Sequence, residues 1–101
     1  VLKNSLTAGQ KRFLKSLGAQ LEPVVQIGKN GLTPEIVASA QDVLKARELI
    51  KVKVLQNCTE EVADVITMLA ERTDSNLVQV IGRNGLLYKK NWDKTKIELP
   101  K

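Results

Sequence analysis

Val25-Gln26-Ile27-Gly28-Lys29-Asn30-Gly31-Leu32-Thr33-Pro34-Glu35 is the stretch whose reading decides the fold. Pro23-Val24-Val25-Gln26-Ile27 predicts a short strand, with proline at the first position, where it is tolerated. Thr33 is suited to cap a helix, Pro34 to occupy its first position and Glu35 its first turn. Ile36, Val37, Ala40, Val43 and Leu44 then recur at helical spacing and predict its buried stripe. Between strand and helix lies Gly28-Lys29-Asn30-Gly31. A helix N-terminus presents unpaired N–H groups and a partial positive charge, so it receives anions. Two glycines let a phosphate approach the backbone, Lys29 adds a mobile cation, and Asn30 offers a donor and tolerates a left-handed conformation. Most GxxG strings are plain turns. This one stands before a capped helix in a basic half of the chain, and predicts a phosphate clamp.

Working outward, Thr7-Ala8-Gly9-Gln10 has the form of a capping box and predicts the first helix from near Thr7. Phe13, Leu14, Leu17 and Leu21 form its expected apolar stripe, although Gly18 predicts an early end that leaves Leu21 beyond it. Lys11 and Lys15, four apart, and Arg12 beside them occupy the outer face. Leu49 to Leu55 alternates, Ile50, Val52 and Val54 facing one way and Lys51 and Lys53 the other, as in a half-buried strand. A third helix is expected with Thr59 as cap, Glu60 and Glu61 set against its dipole, and Val62, Val65, Ile66, Leu69 and Ala70 buried. Leu77 to Ile81 reads as a strand buried on both faces. Leu86 to Lys89 reads as its hairpin partner across a Gly82–Gly85 turn that echoes the first loop. The prediction is one α/β domain of order α-β-α-β-α-β-β, three helices on a mixed four-stranded sheet, spanning residues 6–99, with 1–5 a leader without fold role.

The chain of 101 residues is long enough for one core and too short for two. Its net charge of +5 is localised: residues 1–53 carry nine Lys or Arg against four Asp or Glu, and residues 54–101 carry seven of each. Such an excess is the footprint of a polyanion binder. Arg47, Lys51 and Lys53 extend a basic track from the loop and the first helix; for any single lysine, a solvated charge is the simpler account. There is no histidine and one cysteine, Cys58, which excludes an internal disulfide and argues against zinc and against acid–base catalysis. Cys58 reads as a filler, and Asn57-Cys58-Thr59 as a chance sequon. No apolar run approaches a membrane span, and these features together point to the cytosol.

Other phosphate motifs fail. Neither a nucleotide P-loop nor a G-x-G-x-x-G fingerprint is present, so nucleotide cofactors are not expected. Only Phe13, Tyr88 and Trp92 are aromatic. With Phe13 assigned to the core, the sheet offers just Tyr88 for base stacking, which favours gripping a backbone over stacking bases. Trp92 is a candidate anchor in the basic tail. Glu60, Glu61 and Asp64 are explained by the helix dipole without metal chemistry.

Three separated blocks carry a resemblance: Val25 to Thr33, Glu48-Leu49-Ile50-Lys51-Val52-Lys53-Val54, and Leu77-Val78-Gln79-Val80-Ile81-Gly82 with Leu87-Tyr88. They resemble the CRM domain, whose name abbreviates chloroplast RNA splicing and ribosome maturation, and its stand-alone bacterial YhbY-like form. The resemblance implies an α/β fold with KH-like features, similar to the C-terminal domain of translation initiation factor three. It implies an RNA-contacting loop at Gly28, Lys29, Asn30 and Gly31 and basic contacts from Lys11, Arg12 and Lys15. It also implies a partner in RNA, 23S ribosomal RNA or the precursor large ribosomal subunit. Gly85 stands where relatives usually have a strand residue, and Lys89 where they often have arginine. The expected molecule is a monomeric RNA-binding protein of ribosome biogenesis with no cofactor, metal, membrane or small-molecule substrate. The competing expectation is an adaptor that docks a protein. An enzyme is disfavoured for want of a nucleophile–base pair.

Overall fold

Local chemistry marks the helix starts. The Thr7 hydroxyl accepts from the Gln10 amide at 3.1 Å, and the Gln10 side chain accepts from the Thr7 amide at 3.0 Å, completing the capping box. The Thr33 hydroxyl likewise accepts from the Ile36 amide at 3.2 Å, and Pro34 opens the second helix. In the computed structural model, which describes residues 6–90 and 97, the elements are α1 (Ala8–Gly18), β1 (Pro23–Ile27), α2 (Pro34–Arg47), β2 (Leu49–Val54), α3 (Val62–Thr73), β3 (Asn76–Ile81) and β4 (Asn84–Tyr88). The order is the predicted one, and Leu21 lies beyond α1. Trp92 and Val1–Ser5 lie outside the described residues.

The sheet order is β1-β2-β4-β3. β1 pairs parallel with β2, and β4 pairs antiparallel with both β2 and β3. β1, β2 and β3 therefore all run the same way, with β4 inserted against them. Their C-terminal ends lie at one end of the sheet, called here the loop end. The larger core lies under α2 and α3, where Ile27, Ile50, Val52, Val54, Cys58, Ile66, Leu69 and Leu87 pack together. On the opposite face α1 covers a smaller cluster of Leu14, Leu49, Val78, Leu86 and Tyr88. Two apolar faces explain why Lys51 and Lys53 alternate with buried residues while Leu49 on their side is also buried: α1 covers only one end of that face.

Four expectations need correction. The α1 stripe is narrower than predicted: Leu14 is buried, but Phe13 is 36% and Leu17 38% exposed. A side chain built on Gly18 would overlap Leu86. The helix thus rests on the sheet along its Leu14–Gly18 ridge, and one residue turns the helix by about 100°, which carries Phe13 and Leu17 to the flank. α3 is not capped by Thr59. It starts after Glu61, whose side chain makes no capping bond, because the chain first sinks Cys58 into the larger core. β3 is an edge strand with only Val78 fully buried, and Ile81 is 61% exposed. The strand buried on both faces is β4, where Gly85 through Tyr88 are all buried. Apolar composition is alike in the two strands, so only pairing order tells the central strand from the edge. Finally, the hairpin loop is Gly82-Arg83 alone, and Asn84 and Gly85 already pair in β4.

Candidate nucleic-acid interface

Gly28-Lys29-Asn30-Gly31 leaves β1 at the loop end as a tight turn, with the Gly31 amide donating to the Gly28 carbonyl at 2.9 Å. Gly31 takes the left-handed conformation (φ +66°), so the conformational freedom expected of Asn30 belongs to Gly31. Both glycines turn inward. A Cβ on Gly28 would meet Asn57 and Leu55, and one on Gly31 would strike the Glu60 carboxylate. Their role in this geometry is to let the loop lie against the segment after β2, not to clear space for a ligand. The amides expected to be bare are partly used: Gly31 bonds within the turn and Ile36 is capped by Thr33. Lys29 and Asn30, at the tip, are exposed, and neither amide makes a backbone hydrogen bond among the described residues.

Lys53 and Lys51 project from β2 on the face that α1 partly covers. Lys53 is exposed beside Gln26 of β1 and Asn84 of β4, and Lys51 pairs with Leu86. Lys15 and Lys51 line one cleft between the end of α1 and the β3–β4 hairpin. Lys11 lies one turn before Lys15 on the same flank of α1, whereas Arg12 points away from the sheet. Arg47 sits at the other end of β2. That six-residue strand separates it from the loop end by roughly 20 Å, so the structure does not join it to the others. Among the described residues, the side chains of Lys11, Arg12, Lys15, Lys29, Arg47, Lys51 and Lys53 make no ion pair or hydrogen bond. Charge that the fold does not consume remains open to a partner.

Arg83 behaves differently. Its guanidinium donates to the Val54 carbonyl at 2.8 Å and the Leu55 carbonyl at 2.6 Å, closing the end of β2. Tyr88 is buried, so the sheet presents no aromatic platform among the described residues. Its hydroxyl has no hydrogen-bond partner among the described residues, and burial, then the nearby Glu48 carboxylate, raise its pKa above the usual 10.0. Glu48 is itself fully buried at positive φ (65°), and accepts from the Ile97 amide at 2.9 Å. Sequence reasoning missed this pin, since a lone glutamate after a helix gives no signal of burial.

Residues 6–89 match the CRS1 / YhbY (CRM) domain. The chain belongs to that family. The CRM resemblance that the three blocks carried is thereby established, and the four-stranded mixed sheet with three helices is its fold here. The "Probable RNA-binding protein YqeI" of Bacillus subtilis is 46% identical over 95 residues, covering 94% of this chain and 99% of that protein. An "RNA-binding protein" of Haemophilus influenzae is 39% identical over 97 residues, covering 96% and 97%. The solution structure of SAV1595 from Staphylococcus aureus superposes with a TM-score of 0.80 at 43% identity, covering 95% of this chain and all of that one.

Proposed function

We propose that this CRM protein binds structured RNA through the loop end of its sheet and acts in assembly of the large ribosomal subunit, on 23S ribosomal RNA or its precursor particle. The observation that carries the reading is the set of cations whose side chains have no partner among the described residues. Lys29 and Asn30 reach out at the loop tip, and Lys53, Lys51, Lys15 and Lys11 continue along the α1 side, where phosphates of a folded RNA would lie. Gly28 and Gly31 hold the tip in place. Arg12 and Arg47 are peripheral contacts. In open sheets, ligands gather at the carboxyl ends of parallel strands, and the loop end is where β1, β2 and β3 finish.

Filter binding tests the reading. Lys29→Glu weakens RNA affinity about tenfold at moderate salt, and with about four phosphates neutralised the log–log salt slope lies near −3 to −4. Unchanged affinity on charge reversal at Lys29 would remove the loop from the interface. Crosslinking in cells, followed by sequencing of the attached RNA, tests the biological assignment. A map spread over unrelated transcripts contradicts it.

Phe13 and Leu17, exposed side by side on α1, favour a second reading, in which that flank docks a protein on an RNA-processing complex. Nuclease treatment that leaves every partner bound to the full chain selects this reading over the first.

A further inference from the structure

The cleft between the end of α1 and the β3–β4 hairpin encloses about 390 Å³. Its lining combines three kinds of residue: Lys15 and Lys51, the apolar Ile81 and Leu86, and the amide-bearing Gln79 and Asn84. We propose that it takes a single unpaired nucleotide of the RNA, base inward and phosphate towards the two lysines; this rests on the RNA reading above.

Construction of the cleft supports the assignment. Gly18 lets α1 come down onto Leu86, which fixes the floor, and the helix stops there, leaving the hairpin beyond it uncovered. A register irregularity between Leu77 and Gln79 brings Gln79 to the same side as Val78, which α1 covers; a bulge places two residues opposite one and re-aims a side chain in this way. The side chains of Gln79, Lys15 and Lys51 have no hydrogen-bond or ion-pair partner among the described residues. The Asn84 Oδ1 atom is out of reach of solvent and accepts no hydrogen bond among the described residues. A buried acceptor left unmatched gains by turning towards a donor, and the terminal torsion of an asparagine side chain is soft.

Chemistry narrows the occupant. A bare phosphate would leave the Ile81 and Leu86 surfaces idle, and the C-terminal end of α1 adds partial negative charge at the mouth. A nucleotide matches both halves: the lysines meet its phosphate, the apolar walls take the faces of the base, and the side-chain amides of Gln79 and Asn84 suit its donor and acceptor edge. A base within a paired stack cannot enter a space closed by a helix on one side, so the nucleotide has to be unpaired.

The test compares two RNA stems identical except for one unpaired nucleotide. The wild-type chain binds the bulged stem about tenfold more tightly, an effect of the size that one stacked base contributes. Ala19→Trp, which fills the mouth, brings the affinity ratio to about one; Gln79→Ala, a smaller change, reduces it and serves if the tryptophan variant does not fold. A ratio of one for the wild type, with both stems bound, overturns the cleft and leaves the RNA reading standing. Binding to neither stem removes both. Independently, NMR titration of the wild-type chain with AMP, UMP and inorganic phosphate follows the side-chain amides of Gln79 and Asn84. Shifts with the nucleotides beyond those with phosphate support the proposal; equal shifts, or none, overturn it.

Discussion

Gly28-Lys29-Asn30-Gly31 and Gly82-Arg83-Asn84-Gly85 are nearly the same string, and the fold uses them in opposite ways. The first is a turn across all four residues, left-handed at Gly31, and the side chain of its cation has no partner among the described residues. The second turns at Gly82-Arg83, left-handed at Gly82 (φ +57°), with its cation bonded to two carbonyls. Its last two residues belong to a buried strand. A cation committed to backbone carbonyls stabilises the fold; one with no internal partner is available outside it. The short string does not determine which of the two results. The neighbouring strand does, because the open carbonyls at the end of β2 lie within reach of Arg83.

The largest effect is expected at Gly85. A Cβ there would lie 2.6 Å from Ile66 of α3, and Gly85→Val destabilises by about 3 kcal/mol in urea unfolding, as overpacking of a core does. Gly28, whose nearest neighbours would be at 3.4 Å, tolerates alanine far better. Equal losses at the two positions would break the contrast. Next, Arg83→Ala loses two charge-assisted hydrogen bonds and costs about 2 kcal/mol of stability, with the carbonyls partly resolvated. Its effect on RNA affinity, corrected for folded fraction, is smaller than that of Lys29→Glu, which in turn leaves the unfolding midpoint unchanged. The reverse pattern would exchange the roles of the two turns.

A finer comparison concerns the left-handed glycines. Gly82→Ala meets nothing within 4 Å, so its cost is the backbone term of about 1 kcal/mol. Gly31→Ala adds a collision with Glu60, and Glu60→Ala in the same chain brings the two costs together. A persistent gap would mean that something other than Glu60 presses on the loop. The smallest effect is at the far end of β4. The Tyr88 pKa is higher in the fold than in the unfolded chain, so its contribution to stability is whole below pH 10.0 and declines as pH rises above it. Tyr88→Phe changes stability by less than about 1 kcal/mol at pH 7, since the hydroxyl has no partner, and flattens the alkaline decline. An unaltered alkaline limb would assign that decline to other groups.

Much of the fold was legible because its signals are local. The Thr7 and Thr33 caps, the proline starts of β1 and α2, and the alternation in β2 each depend on residues within one turn or one pleat of each other. The same holds for the tip of the candidate site, Lys29 and Asn30. What was illegible depended on partners distant in the chain. Phe13 and Leu17 look like core on spacing alone, and their exposure follows from Gly18 settling on Leu86, 68 positions away. The start of α3 moved from Thr59 to Glu61 because Cys58 is drawn into a core made by other elements.

By itself, then, the sequence determined the succession of elements, the caps of α1 and α2 and the surplus of positive charge, since composition, short-range sterics and hydrogen bonding decide these. Tertiary structure alone decided that β4 rather than β3 is central, that Arg83 is tied while Lys29 is not, and that Lys15 meets Lys51 across a cleft. Each of those depends on which strand hydrogen-bonds to which, and pairing between segments far apart in the chain is not encoded in any single stretch of it.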